Sequence, residues 1–593
     1  MTLFWNINLT LLGRYRGVQP DRGDIDDALG NFSLTLVDSL DSLVIMGDLE
    51  EFERAIRLVI DHVKFDHDIS VSVFETNIRM VGGLISAHVL AELLKGRRIK
   101  GYTERQYYMK WYQGELLDMA LDVGYRLLPA FNSSTGLPHP RVNLRYGIKP
   151  GKVKQIGETC TACAGTMILE FAALSRLSGE PIFEQKASLA MDVLWGSRHR
   201  MSNLVGNVLN IQTGDWVRKD SGVGAGIDSY YEYVAKAYVL LGEDKYLSRW
   251  QTHYAAIMKY LGNGPVMQDV HMHRPHATAK HFIDALGAFW PGLQVLMGDV
   301  KPAIISHEVL YQVMQRHHFI PEAFTADFQV HWGQHLLRPE FVESTYFLHR
   351  ATGDPYYLEV GKKILKSLQK HARVTCGYAA IKDVRYLPMH KEDRMDSFVL
   401  SETFKYLYLL FADESKIPVN VHDFVFTTEG HLLPLSLARL SNRTAVPLSD
   451  EQLFDEVHDE DVEFARSCPS TSYLFPKREE QEETYYIEQD ITNAEELRQS
   501  LGNVVSDKCP SKAKEPLKRK LFATDFQSNN EQHLQILKDM GITMVTMADG
   551  RVQLLHTSVN VSTISFERNN FIAFCGRIFS NVVSDNDTNL LQF

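Results

Sequence analysis

Leu348-His349-Arg350-Ala351-Thr352-Gly353-Asp354-Pro355-Tyr356-Tyr357 reads as the hinge between two helices. Gly353 supplies the left-handed residue that stops the first helix. Asp354 caps the second, and Pro355 takes a first helical position, where its missing N–H costs nothing. The same pattern returns at Leu174-Ser175-Arg176-Leu177-Ser178-Gly179-Glu180-Pro181-Ile182-Phe183 and at Tyr238-Val239-Leu240-Leu241-Gly242-Glu243-Asp244-Lys245-Tyr246. Gly179 and Gly242 lie 63 positions apart, Gly242 and Gly353 lie 111 apart, and the second interval is about twice a unit of roughly 50–60 residues. Repeated helical hairpins without strand-period segments between them predict an all-α fold, a closed α/α toroid whose loops gather at one end. An open solenoid is the alternative.

Six segments within the helical region each place one carboxylate among apolar or aromatic neighbours: those around Glu75, Asp228, Glu322, Glu340, Glu402 and Glu429. An ionised carboxylate taken from water loses several kcal/mol unless it is paired, hydrogen-bonded or bound to a metal. Six of them therefore imply one shared polar site. A pocket rich in acids and poor in bases suits a cation and a polyhydroxyl substrate, with carboxylates as general acid, general base and hydrogen-bond acceptors. Glycoside hydrolysis fits that chemistry.

Composition agrees. The chain has 593 residues, 45% hydrophobic and 10% aromatic, enough for a large core. Lys and Arg number 62 against 74 Asp and Glu, a formal charge of −12, and no long basic run offers the footprint that phosphate backbones require, which excludes nucleic acid as a partner. No apolar stretch is expected to reach the roughly 18–20 residues of a membrane span, so the chain reads as soluble. Six Asn-X-Ser/Thr acceptors, at Asn8, Asn31, Asn132, Asn442, Asn560 and Asn586, are permissive for the secretory pathway. Met1 to Leu12 makes a poor signal peptide, and the carboxyl end carries no retention tetrapeptide. Beyond about Arg443 periodicity fades: residues 441–525 read as an acidic and charged linker, and residues 526–593 as a small mixed segment. In it, Glu531 to Gly541 reads as a helix and Ile542 to Leu555 as a hairpin around Asp549-Gly550.

The strings Ser72-Val73-Phe74-Glu75-Thr76-Asn77-Ile78-Arg79, Asp228-Ser229-Tyr230-Tyr231-Glu232-Tyr233, Leu337-Arg338-Pro339-Glu340, Ser401-Glu402-Thr403-Phe404-Lys405-Tyr406-Leu407 and Phe426-Thr427-Thr428-Glu429 resemble, in order and spacing, glycoside hydrolase family 47, the class I α-1,2-mannosidases. Thr159-Cys160-Thr161-Ala162-Cys163-Ala164-Gly165-Thr166 and Thr213-Gly214-Asp215-Trp216-Val217-Arg218-Lys219-Asp220 are similar to the branch of that family associated with endoplasmic-reticulum degradation. The resemblance implies an (α/α)7 barrel over residues 17–440. It also implies a bound Ca²⁺, localisation in the endoplasmic reticulum lumen, and inverting removal of terminal α-1,2-linked mannose from high-mannose N-glycans of misfolded glycoproteins. Carried over by motif, Glu75 is the acid, Glu340 the base and Asp228 a third catalytic carboxylate. Thr428 binds the calcium, and Arg79, Glu322, Glu343, Glu402 and Glu429 line the sugar and metal pocket.

Each residue also has a plainer reading. Glu75 and Arg79 stand at i and i+4 and make an ordinary helical ion pair. Asp228 and Glu340 suit helix N-termini, and His271 and His273 read as structural, because a hard cation prefers oxygen. The chain departs from the family in three places. Ala288 and Leu310 stand where a barrel disulfide is expected, residues 1–16 replace the usual start and leave the first barrel helix in question, and the protease-associated domain of that branch is not expected here. Cys160 and Cys163 form a C-x-x-C without a thioredoxin-like setting, which reads as a structural disulfide or a link to a protein disulfide isomerase-type partner. Cys468 and Cys509 could pair. Two rivals to an enzyme remain: a lectin-like mannose binder, and a scaffold that delivers misfolded glycoproteins uncleaved.

Overall fold

The computed structural model describes residues 30, 32–97, 108–263, 266–375 and 377–440, then residue 531 and the strands Ile542–Thr546 and Val552–His556. The chain divides into two units, Met1–Lys508 and Cys509–Phe593. The two strands pair antiparallel, Ile542 opposite His556 and Thr546 opposite Val552, as the alternation around Asp549-Gly550 predicts. The first 16 residues, the proposed linker 441–525, most of the expected helix at 531–541, and Cys376, Cys468, Cys509 and Cys575 lie outside the described residues.

The first unit is the expected (α/α)7 barrel. Its helices fall into two classes by burial. One class is buried all round and forms an inner ring: Leu34–Asp38 with Leu40–Ile45, the run from Val73 to Leu94, Ile168–Ser178, Asp228–Leu241, Trp290–Leu296, Glu340–Thr352 and Phe404–Phe411. The other class buries one face only, as Leu49–His62 does with Leu49, Phe52, Ala55, Ile56 and Val59 while its acids face water. A helix apolar on one stripe belongs at the surface of a layer, and one apolar all round belongs inside it. Inner and outer helices alternate along the chain and pack as hairpins. The first inner helix packs against the run before the last one: the Ser42 hydroxyl donates to the Leu400 carbonyl at 3.0 Å and the Ser401 hydroxyl to Asp38 at 3.1 Å. That contact closes the ring and rules out the open solenoid.

The hinge reading holds with two corrections. Gly179, Gly242 and Gly353 are left-handed, at φ +81°, +71° and +65°, and Gly298, at φ +86°, sits at the midpoint of the double interval. Asp354 does cap, accepting from the Tyr356 N–H at 2.8 Å. Glu180 does not: the Ser175 hydroxyl accepts the Glu184 N–H at 2.9 Å instead. Glu243 pairs with Lys245 at 2.8 Å and caps nothing.

The run Val73–Leu94 corrects a second expectation, since its 22 residues are long and apolar enough to cross a membrane. Most of it is buried inside the barrel, and a helix surrounded by protein needs the same composition as one surrounded by lipid. Short strands, unforeseen in the sequence, fill the loops between hairpins, in sheets of two or three strands.

One of these, Phe424–Phe426 paired with Leu432–Pro434, occupies the axis. All six residues are buried, and the hairpin touches the helices Gly82–Leu94 and Asp228–Leu241. The Phe426 ring lies 5.9 Å from Tyr406 and 6.5 Å from Phe347. Its turn carries Thr428 and Glu429, and Gly430, at φ +67°, bends the chain back. Past the turn His431 reaches Asp41 through Nδ1 at 2.9 Å and Asp38 through Nε2 at 3.1 Å. Lys405 joins Asp41 at 2.8 Å and donates to the Gly430 carbonyl at 2.6 Å. Gly82 makes the approach possible: a Cβ there would stand 2.9 Å from the His431 ring.

Burial alone would raise Asp41 and lower His431, but Lys405 and His431 outweigh it at Asp41, holding it at about 2, and Asp41 and Asp38 outweigh it at His431, lifting it to about 9. A histidine raised above its ordinary value stabilises the fold fully below pH 6.5 and loses that contribution as the pH climbs through about 9. His431→Gln should therefore lower unfolding stability at pH 6 by roughly 3–5 kcal/mol, because it leaves two buried carboxylates facing each other. Urea titrations should also show the parent protein losing stability from pH 6.5 to 9 and the variant losing much less. Parallel pH slopes would contradict the assignment.

Candidate functional site

The inner helices present their amino ends and first turns to one mouth of the toroid. Asp228 opens the helix Asp228–Leu241, and Glu340 opens Glu340–Thr352 with Glu343 a turn later. Glu75 ends a short helix capped by the Ser72 hydroxyl, which accepts the Glu75 N–H at 3.3 Å. Two acids are placed by π-helical turns: Thr76–Val81 follows Glu75 and carries Arg79, and Val399–Thr403 carries Glu402. A π turn inserts an extra residue and re-aims the side chains around it, a device frequent at functional sites. Leu337 is held at φ +65°, strained for a branched residue. Its carbonyl accepts the Thr403 hydroxyl at 2.8 Å, and the bend sets the direction of Arg338-Pro339-Glu340.

Two guanidiniums organise the acids. Arg79 donates to Glu75 at 2.8 Å, to Glu429, and lies 3.8 Å from Asp38. Arg338 grips Glu322 with two bonds of 2.7 and 2.8 Å and stands 3.9 Å from Glu340. Phe398 lies between them, its ring 5.8 Å from the Arg79 guanidinium and 6.0 Å from that of Arg338. The helical-pair reading of Glu75 and Arg79 is thus true and incomplete, since Arg79 also joins the hairpin turn.

Too few cations remain for the other acids. Burial pushes the Asp228 carboxyl up to about 8, and the charges of Asp284, Glu232 and Glu340 push the same way. Burial raises Glu340 to about 7 against the pull of Arg338, and one of its oxygens is buried without a hydrogen-bond partner. Burial raises Glu343, Glu402 and Glu429; Glu232 and Glu340 push Glu343 the same way against Lys236, Glu429, Glu343 and Glu340 push Glu402 up against Arg79, and Asp38 and Glu75 push Glu429 up against Arg79. Nearby Glu170 is raised to about 7, and accepts from the Tyr233 hydroxyl at 2.5 Å. That hydroxyl also accepts the Thr428 N–H at 3.4 Å, fixing the hairpin turn.

All nine residues singled out in the sequence fall within this one network. The sequence reading missed Asp38, Asp41, Glu170, Glu232, Lys236, Asp284, Arg338, Phe398, Lys405 and His431. Some left a signal: Asp228, Glu232 and Lys236 are spaced i, i+4, i+8 along one helical face, and the Glu232–Lys236 pair is buried at 2.5 Å. Asp284, which accepts the Ala225 N–H at 3.2 Å, left none.

The donor chemistry fits a hard cation. Carboxylates outnumber bases, an oxygen of Glu340 is unpartnered, and Thr428 stands half-buried at the turn beside Glu429. No three His, Cys, Asp or Glu side chains converge on one metal position among the described residues. The family motif, and not this geometry, names Thr428 as the residue that would hold such a cation. Cys160 and Cys163 are joined in a disulfide, both half-buried.

A toroid of helical hairpins with acids at one mouth, and an axial hairpin behind them, defines an α/α barrel with an acidic site. The chain belongs to glycosyl hydrolase family 47, whose family model matches residues 14–435. It is 53% identical over 568 residues to human ER degradation-enhancing alpha-mannosidase-like protein 3, covering 94% of this chain and 58% of that protein. To alpha-mannosidase I MNS4 of Arabidopsis thaliana it is 44% identical over 427 residues, 70% of this chain and 66% of that protein. The solved alpha-1,2-mannosidase from Trichoderma reesei superposes with a TM-score of 0.61 at 23% identity, covering 72% of this chain and 93% of that one, and shows the fold. The chain spans less than two thirds of the length of its human relative.

The raised Glu340 has a stability consequence. The folded protein keeps a proton there that the unfolded chain releases from about pH 4.5, so stability falls as the pH rises from 4.5 to about 7. Glu340→Gln removes that penalty. In chelator, its urea midpoint should exceed the parent's at pH 8 and match it at pH 4; an equal shift at both pH values would assign the effect to packing.

Proposed function

We propose that the chain is a calcium-dependent, inverting α-1,2-mannosidase that trims high-mannose N-glycans of misfolded glycoproteins in the endoplasmic reticulum lumen. The observation that carries this reading is the split within one buried cluster: Glu75 is bound by Arg79, while Asp228 and Glu340 titrate near neutrality. A general base is most effective with a value near the working pH, which suits Glu340. In the inverting reaction it takes a proton from water as the water oxygen bonds the anomeric carbon, the glycosidic bond breaks, and an acid protonates the leaving oxygen. Calcium held by the hydroxyl and carbonyl of Thr428 would supply a hard positive centre for sugar hydroxyls and offset the acids. Arg79 and Arg338 orient Glu75, Glu429 and Glu322, and Phe398 gives an apolar face against which a sugar ring packs.

The proton donor has two candidates. The family motif selects Glu75. The proton that Asp228 holds up to about 8 favours Asp228 as a second. The Cys160–Cys163 disulfide fits an oxidising compartment, and its partial exposure leaves room for exchange with a protein disulfide isomerase-type partner.

Purified protein should release free mannose from high-mannose glycans, and exhaustive chelation should abolish the release. Glycan binding without release would replace the enzyme with the lectin or scaffold reading. Glu75→Gln should lose about 10²–10⁴-fold in turnover on the natural glycan and far less on an aryl mannoside whose leaving group needs no proton. If Asp228→Asn alone shows that rescue, Asp228 is the donor. Proton NMR of fresh product should show β-mannose first; initial α-mannose would mean a glycosyl-enzyme intermediate and retention.

A further inference from the structure

A three-stranded sheet at the mouth joins the acids to the solvent. Its order is Phe282–Asp284, then Ala323–Thr325, then Val330–Trp332 at the edge. Asp284 pairs with Ala323, which pairs with Trp332, so these three side chains share one face, and Phe282, two residues before Asp284, shares it too. The other face holds Ile283 opposite the fully buried Phe324 and packs into the core. The sheet is fastened to the site at both ends of Glu322: the Ala285 N–H donates to the Glu322 carbonyl at 2.9 Å, and the Glu322 N–H to the Gln334 carbonyl at 2.8 Å.

The outer end of that face is aromatic. Phe282 and His331 stack at 4.7 Å with 9° between planes, and Trp332 closes on Phe282 at 4.8 Å and on His331 at 5.2 Å. Trp332 is 50% exposed although it lies on a sheet edge, where native proteins usually blunt apolar surface. The neighbouring strand of loop is bonded there as well, the Val384 N–H to the Gly333 carbonyl at 2.8 Å. That loop carries Tyr386, 60% exposed, beside the Asp383–Arg385 pair. Core packing explains none of these exposures.

We infer that Phe282, His331 and Trp332 form a stacking platform for the mannose residues beyond the one that carries the leaving oxygen, so that the platform selects which glycan branch enters. The inference rests on the glycan-trimming reading above. Flat aromatic faces with hydrogen-bonding groups beside them, here His331 itself and Asp383, whose carboxylate lies against Gly333, suit an amphipathic ring whose C–H face is apolar and whose edge is hydroxylated. The occupant follows from continuity. Two residues of strand, about 7 Å, separate Phe282 from Asp284, whose charge acts on Asp228 and Glu340, so a chain of hexoses leaving the acids runs onto the platform.

The test compares a full high-mannose oligosaccharide with the α-1,2-linked mannose disaccharide, which is too short to reach the platform. For Trp332→Ala, kcat/KM on the oligosaccharide divided by that on the disaccharide should fall about tenfold, through KM, and Trp332→Phe should restore most of the ratio. A ratio that does not move, or that Trp332→Phe fails to restore, overturns the platform. Release of mannose from neither substrate by the parent protein would defeat the trimming reading instead. The platform is then decided by saturation-transfer NMR: the oligosaccharide should bind the parent and lose that binding in Trp332→Ala, and unchanged binding overturns it.

Discussion

The buried cluster of Asp38, Asp41, His431 and Lys405 is the constraint on which the site depends. It joins three parts of the chain that meet only when the toroid is closed: the first inner helix, the last inner helix and the axial hairpin. Two carboxylates face two bases, and the hydroxyls of Ser86 and Ser401 and the Gly430 carbonyl take up remaining hydrogen-bonding capacity. A buried ionic group endures when its charges and hydrogen bonds are both matched. Matched in this way, the cluster fixes the hairpin turn, and with it Thr428 and Glu429, at the centre of the acids.

The acid pocket a few ångströms away has the opposite character. Its carboxylates outnumber Arg79, Arg338 and Lys236, and burial holds Asp228 and Glu340 part-way to neutral. Such an arrangement is unfavourable for folding, and its cost is carried by the apolar ring of inner helices around it. The strain at Leu337 and the two π turns belong to the same economy, since each departs from regular geometry to aim a side chain inward.

The platform extends this logic to specificity. On the proposed trimming reading, acids at the bottom of the mouth act on one sugar, whatever the rest of the glycan. Discrimination between branches needs contacts further out, and the edge sheet is the element that spans both regions, with Asp284 at one end of a face and Trp332 at the other.

The sequence by itself determined the hairpin repeat and the carboxylate set. Glycine hinges and all-round apolar helices act locally, through backbone conformation and burial, so Gly179, Gly242 and Gly353 could be read directly, and six isolated acids in apolar settings announced a common site. Gly298 escaped because its hinge lacks the aromatic that marks the others. Ring closure, the axial position of the hairpin and the partners of each acid were decided only by the tertiary structure. His431 meets Asp41 across 390 residues of chain, and Asp284 and Trp332 share a face only through a third strand, Ala323–Thr325. Electrostatic pairing depends on distance in space, and no local pattern encodes it.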